Sequence, residues 1–328
     1  MCKSGGSPTS TGSNTQRAGS RRQSCASCTV TLSPKPLNIC GAGTTKDVTA
    51  TGSPGGGSFN WQSSDTGVAT VSGTESTVSV EGVAAGKSIL TVTYNVEGCT
   101  PCTDDTDIKV CTCTAGRKYA YGKESVADVI GIKGKIKTRY GKVCCEDEGC
   151  STTDAYHVVY ANITNDAGAS MIWAQTGYGR ERNGGSTAIK TYRYAEMNGS
   201  GYKVNYDNSN APAEGATHTY QCDLDKSTGK WTFSYDGTEW QTFSDNGWKN
   251  KTGTVAQWVG EIYNKEDDMP GTTDSKCSFT DCQYQCDGGA YQDTGFTVGD
   301  MITSDASEWG VERVSDTEFN IWDKNPLP

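Results

Sequence analysis

The chain has 328 residues, enough for two or three domains at roughly 100–200 residues each. It carries 29 Lys and Arg against 39 Asp and Glu, a net charge of −10, which leaves no electrostatic footprint for a nucleic-acid backbone. Only two histidines occur, His157 and His218, so His-rich metal sites are excluded and a Ser-His-Asp scheme has little to draw on. No apolar run reaches the ~18 residues of a membrane-spanning helix, and no charged-then-apolar leader opens the sequence.

Residues 1–24 are Ser, Gly, Thr and Asn with four basic and no acidic side chains, which predicts a disordered tether without a core. Cys2 sits in a Ser/Gly/Thr stretch that resembles the region just behind the acylated cysteine of bacterial lipoproteins. That resemblance implies a lipid anchor at Cys2; a stray thiol in a tail is the alternative. Fifteen cysteines are dense for a reducing compartment and predict disulfides and an extracellular or bacterial cell-surface location. Cys25-x-x-Cys28 and Cys99-x-x-Cys102 have thiolate-ligand spacing, but zinc ribbons separate such pairs by roughly 15–20 residues and these stand far apart. Without Cys2, seven cysteines precede residue 115 and seven follow it. Either one bridge joins the two halves or each half keeps a free thiol. No cofactor and no metal site is expected.

Residues 25–114 read as an all-β sandwich. Leu90, Val92 and Tyr94 alternate with Thr91 and Thr93, and Val78 and Val80 repeat that half-buried period. The run Phe59-Asn60-Trp61-Gln62-Ser63-Ser64-Asp65, then Val68-Ala69-Thr70-Val71, then Gly82-Val83-Ala84-Ala85-Gly86, resembles bacterial Ig-like domains of the intimin and invasin type. The resemblance implies a spacer or adhesion module, with Trp61 as the plug between sheets.

Residues 115–328 form a second all-β block. Its candidate strands begin at Val129–Thr138 and run through Tyr156–Thr164, Met171–Tyr178, Thr187–Glu196, Tyr202–Tyr206, His218–Leu224, Trp231–Tyr235, Val255–Tyr263 and Cys277–Tyr284 to Trp309–Trp322. So many antiparallel strands predict a larger jelly-roll of two sheets with one concave face. Asp225 to Lys230 reads as a hairpin turn with Gly229 left-handed, not a calcium loop. Lys265-Glu266-Asp267-Asp268 reads as a solvated acidic loop, with calcium as the alternative. Both histidines lie in strands and read as sheet residues facing core or solvent.

Alternation places Trp173, Gln175 and Gly177 on one strand face, Tyr192, Tyr194 and Glu196 on another, and Gln257, Val259, Glu261 and Tyr263 on a third. Aromatic groups mixed with Gln and Glu suit the floor of a groove better than a dry core. On that pattern a binding groove and a catalytic groove stand equal.

The segments Ile172-Trp173-Ala174-Gln175-Thr176-Gly177 and Gln257-Trp258-Val259-Gly260-Glu261 are similar to the two active-site stretches of the glutamic peptidases of the eqolisin family. Tyr192-Arg193-Tyr194-Ala195-Glu196 stands where that family has a Trp-rich strand with an embedded Glu. The resemblance spans about residues 130–285 and implies a concanavalin-like jelly-roll and an acid-acting endopeptidase. It implies Glu261 as general base and then acid, and Gln175 as water holder and oxyanion donor. It further implies Glu196 orienting Gln175 or binding substrate, with Trp173, Tyr192, Tyr194 and Tyr263 around the substrate. The family prefers a branched residue where Gly260 stands, and residues 287–328 have no counterpart in it. The implied partner is a polypeptide. The alternative is a carbohydrate-binding jelly-roll, with an extracellular glycan as partner, or a structural envelope protein.

Overall fold

The computed structural model describes residues 27–146, 154–165, 171–183 and 186–326. The expected tether over 1–24, its anchor at Cys2, and Cys25 and Cys150 lie outside the described residues. The first unit is a sandwich of two four-stranded sheets. Strands β1 (Thr29–Ser33), β2 (Leu37–Cys40), β3 (Thr45–Ser53), β4 (Ser58–Ser63), β5 (Ala69–Ser72), β6 (Thr77–Gly82), β7 (Gly86–Asn95) and β8 (Cys102–Cys111) divide between sheets of order β1-β3-β6-β5 and β2-β8-β7-β4. On β7, Leu90, Val92 and Tyr94 are buried while Lys87, Ile89 and Asn95 face solvent, so its period-two pattern selects the core face. Trp61 packs in that core and satisfies its indole by donating from Nε1 to the Glu75 carbonyl at 3.0 Å.

Fifteen further strands form one hydrogen-bonded system folded into two layers. They are β9 (Ala115–Lys137), β10 (Ala155–Asn165), β11 (Ile172–Arg182), β12 (Lys190–Asn198), β13 (Tyr202–Asp207), β14 (Thr217–Asp225), β15 (Lys230–Tyr235), β16 (Thr238–Ser244), β17 (Gly253–Asn264), β18 (Gly271–Thr272), β19 (Ser275–Cys286), β20 (Tyr291–Asp293), β21 (Met301–Thr303), β22 (Trp309–Ser315) and β23 (Glu318–Asp323). The 23-residue β9 belongs to both layers. Its first half pairs with β17 and β21 in the front layer, and its second half pairs with β14 and β19 in the back layer. The change of layer falls at a register shift opposite Gly253–Val255, where Asp128 adopts φ 62°. A bulge with one left-handed residue bends a strand sharply enough to turn such a corner.

The core lies between the layers. Trp258 of the front layer donates from Nε1 to the Lys133 carbonyl of the back layer at 3.2 Å, and Gly134 lets the ring approach. Phe279 and Phe319 stack at 4.5 Å beneath it. The segment beyond residue 287 belongs to this core. Strand β23 pairs with β19, and its Ile321 is fully buried. A Cβ on Gly260 would stand 2.3 Å from Ile321 Cδ1. Ile321 of this late strand thus fills the space that a side chain at position 260 would occupy.

Two disulfides, Cys111–Cys145 and Cys113–Cys144, join the connection between the sandwiches to the turn at Val143–Glu146. Cys28–Cys102 joins the start of β1 to the start of β8. Cys40 and Cys99 are also disulfide-bonded. Among the described residues two bridges therefore join the halves, where the arithmetic had allowed for one. Cys222, Cys277 and Cys282 are buried free thiols within the jelly-roll.

Some expectations need correction. The first candidate strand begins at Ala115, not Val129, and β16, β18, β20 and β21 stand where none was expected. The acidic loop is not solvated. Asp267 accepts from the backbone N–H of Cys144 at 2.6 Å and of Asn264 at 2.9 Å, and Asp268 accepts from the N–H of Lys142 at 3.1 Å. These carboxylates clamp the 142–144 turn onto the end of β17.

Burial pushes the Asp267 carboxyl up to about 7, against the pull of those N–H donors. A folded-state value above the unfolded one, near 3.9, means that the native state holds its proton more tightly. Stability is therefore greatest at low pH and falls as pH rises from about 4 to about 7, by at most ~1.4 kcal/mol per pH unit for this group. Asp267→Asn is expected to flatten the decline of Tm over that range. Thermal scans at pH 4, 5, 6 and 7 check it, and parallel curves for the two proteins would remove Asp267 as the cause.

Candidate active site

The front layer runs β13-β12-β11-β10-β17-β9, and its outward face forms a groove of about 610 Å³. Residues meet there in rows across the strands. One row holds Glu196, Gln175, Asn162 and Gln257; the next holds Tyr194, Gly177, Tyr160 and Val259; the third holds Tyr192, Gly179, Val158 and Glu261. Every strand contributes alternate residues, so the period-two pattern alone lifts these side chains to one face.

The structure brings Trp173, Gln175, Tyr192, Tyr194, Glu196 and Glu261 to the wall of this one groove. Tyr263 lies just past its end, stacked on Tyr156 at 4.9 Å. Tyr192 and Tyr194 are 2 % and 1 % exposed, so they support the floor more than they offer ring faces. Gln175 and Glu261 make no direct hydrogen bond. They stand two strands and two rows apart, about 16 Å between Cα atoms on a flat sheet. The charge of Glu261 nonetheless reaches Glu196 across the groove.

Two tyrosines fill the interval. Gln175 donates from Nε2 to Glu196 Oε2 at 2.9 Å and to the Tyr194 hydroxyl at 3.3 Å. The Tyr194 ring meets Tyr160 edge-on, with centroids 6.5 Å apart. Tyr160 in turn donates from its hydroxyl to Glu261 Oε2 at 2.9 Å. The result is a continuous path from Glu196 through Gln175, Tyr194 and Tyr160 to Glu261. Gly177 lies in the row between the two rings and leaves that space clear.

Burial raises the Glu261 carboxyl above its ordinary range, opposed by the Tyr160 hydrogen bond and the charge of Arg117. Burial also raises Glu196, opposed by donors from Tyr202 and Gln175 and reinforced by the Glu261 charge. Two carboxyls that hold protons beyond the usual pH are suited to proton transfer in weakly acid solution. Tyr160→Phe removes a donor that favours the anion, so the Glu261 value should rise further. Any pH–rate profile that depends on ionised Glu261 is expected to shift to higher pH in this variant. An unchanged rising limb would exclude Tyr160 as a partner of that carboxylate.

Sequence reasoning missed Tyr160, Asn162, Arg117 and Tyr119. The strand containing Tyr160 was legible, but its faces carried no motif. Arg117 and Tyr119 fell before the expected start of β9, although Arg117, Tyr119, Tyr121 and Lys123 already alternate with period two. Among the described residues neither histidine lines the groove. His157 is fully buried on the inner face, where desolvation lowers it to about 3, and His218 bonds Asp236 on β14 in the back layer.

The first unit is decided by its alternating core, its Trp61 plug and its two four-stranded sheets. Residues 28–103 match the family model of the bacterial Ig-like domain (group 2). That Ig-like domain precedes the jelly-roll, and the described residues are almost entirely β. No curated protein matches the sequence. Solved structures similar to the chain include scytalido-glutamic peptidase with a peptide-based transition state analog, at 14% identity and a TM-score of 0.44, covering 64% of this chain and 100% of that one. They also include a Bacteroides ovatus GH16 enzyme of a mixed-linkage glucan locus in complex with its product, at 13% identity and a TM-score of 0.24, covering 63% and 81%. A third is an endo-1,3-beta-glucanase from Streptomyces sioyaensis, at 12% identity and a TM-score of 0.26, covering 75% and 78%. Among the described residues no helix is long and apolar enough to cross a membrane.

Proposed function

We propose that the jelly-roll is a hydrolase of polypeptides, held at an extracellular surface by the Ig-like domain. Glu261 is its general base and then its acid. The observation that carries this reading is two hydrogen-bonded acids facing one groove: buried Glu261 with the Tyr160 phenol, and half-buried Glu196 with the Gln175 amide. Ionised Glu261 would take a proton from a water, and later return one to the leaving amine. A substrate carbonyl entering between the two units would take over the longer of the Gln175 bonds, the one to Tyr194. Gln175 would then donate to the developing oxyanion while Glu196 keeps its amide oriented. Disulfides and the Ig-like domain support a secreted or surface setting.

Glycan binding is the second reading, and the aromatic wall favours it. Its weakness is that Tyr192 and Tyr194 bury the faces on which a sugar would stack. Tyr202 and Tyr206 are exposed, and Trp173, Tyr119, Tyr121 and Tyr156 keep part of their surface open. Cleavage of a denatured protein from pH 3 to pH 7, with Glu261→Gln in parallel, tests the proposal. Activity present in the wild type and absent from the variant supports it. A folded wild type without activity overturns it, and a glycan screen would follow.

A further inference from the structure

Arg117 stands at the end of the groove beside Glu261, on the first residues of β9. Its side chain is 58% exposed, against 9% for Glu261. The closest approach of the two is Nε to Oε1 at 3.6 Å, longer than a hydrogen bond. The guanidinium lies 5.9 Å from the centroid of the Tyr263 ring, which packs on Tyr156. An aromatic shelf, a loose ion pair and a hydrogen bond with the Tyr119 side chain thus hold the guanidinium, while more than half of the side chain remains in solvent.

An arginine whose only purpose was to neutralise Glu261 would close on it in the bidentate geometry that guanidinium and carboxylate favour. This one does not: its nearest atom to Glu261 is Nε, at Oε1, while Tyr160 donates to Oε2. The acids of the groove, Glu181, Glu196 and Glu261, outnumber its cations, Arg117 and Lys123. A free acidic ligand is therefore repelled over most of the floor and is welcome beside Arg117. Of the two cations, Arg117 is the one in contact with the reacting carboxylate.

We propose that Arg117 is a carboxylate-binding subsite that selects polypeptides carrying an Asp or Glu side chain next to the bond held at Glu261. This rests on the hydrolytic reading of the groove for the word "bond" but not for the binding. The substrate carboxylate accepts two hydrogen bonds from the exposed fork, a geometry that a lysine point charge does not reproduce.

The test uses two peptides that differ only by Glu against Gln at one position, scanned along the sequence. Binding is measured to the full chain carrying Glu261→Gln, which cannot turn the peptides over, with and without Arg117→Met. The expected result is about tenfold tighter binding of the Glu peptide at one position, weakened by salt and lost with Arg117→Met. Arg117→Lys is expected to recover only part of the preference. Equal affinity for the two peptides at every position, or binding of neither, overturns the subsite, as does a preference for uronate oligosaccharides over the Glu peptide. The wild-type chain is then assayed for cleavage of both peptides. Selective binding without cleavage leaves the subsite standing and removes the hydrolase.

Discussion

Glu261→Gln is expected to lower the rate of peptide hydrolysis by ~10²–10⁴, with the affinity for substrate changed only a few fold. The substitution keeps the volume of the side chain and keeps an oxygen for the Tyr160 hydroxyl to donate to, so the groove should retain its shape. What it removes is the group that exchanges a proton with water. Arg117 loses its nearby charge in this variant, but it is 58% exposed and its charge stays solvated, so the fold should not suffer. Glu196→Gln is the contrasting variant. Its amide could still meet Gln175, so a fall of about tenfold is expected, with the rising limb left where Glu261 sets it. Kinetics of both variants at several pH values decide the assignment. If Glu196→Gln loses more than Glu261→Gln, the roles are reversed. If neither loses activity, the groove is not the reacting site.

The second large effect concerns Gly177. A Cβ placed there would fall 1.8 Å from the Val159 carbonyl oxygen and 2.7 Å from Tyr160 Cα, both in the adjacent strand β10. Neither atom belongs to a flexible side chain, so β10 and β11 would have to part at the centre of the front layer. Gly177→Ala is expected to cost ~3 kcal/mol or more, a fall in Tm of roughly 6–12 °C for a unit of this size. Because Tyr160 and Tyr194 are the register partners of Gly177 on either side, activity should fall further than the stability loss explains. Thermal unfolding and a cleavage assay well below Tm separate the two effects. A Tm within one degree of the wild type would show that the strands yield cheaply at this point.

Much of the architecture was legible because β-sandwiches announce themselves by alternation. On β7 each apolar residue of the Leu90, Val92, Tyr94 series faces the core, since a slip of one residue would reverse the whole strand. The same rule placed Trp173 with Gln175, and Gln257 with Glu261, on one face each. Edge segments were harder. Strand β16 reads Thr-Glu-Trp-Gln-Thr-Phe-Ser, with polar residues on both faces, and without a buried face the period is lost. The start of β9 was hidden for a related reason, because its groove face is polar and aromatic where a core face would be aliphatic.

The sequence by itself determined the all-β class, the Ig-like unit, the disulfide chemistry and the residues sharing each strand face. The Ig-like unit follows from its motif resemblance and the rest from local periodicity and composition, none of which needs a partner strand to be read. Only the tertiary structure decided which faces meet. Strand order and register put Tyr160 between Gln175 and Glu261, carried Arg117 to Glu261, and set Ile321 against Gly260 from the far end of the chain. Those neighbours are separated by tens to hundreds of residues in sequence. Pairing between strands is a property of the whole packed core, and no single strand carries a record of it.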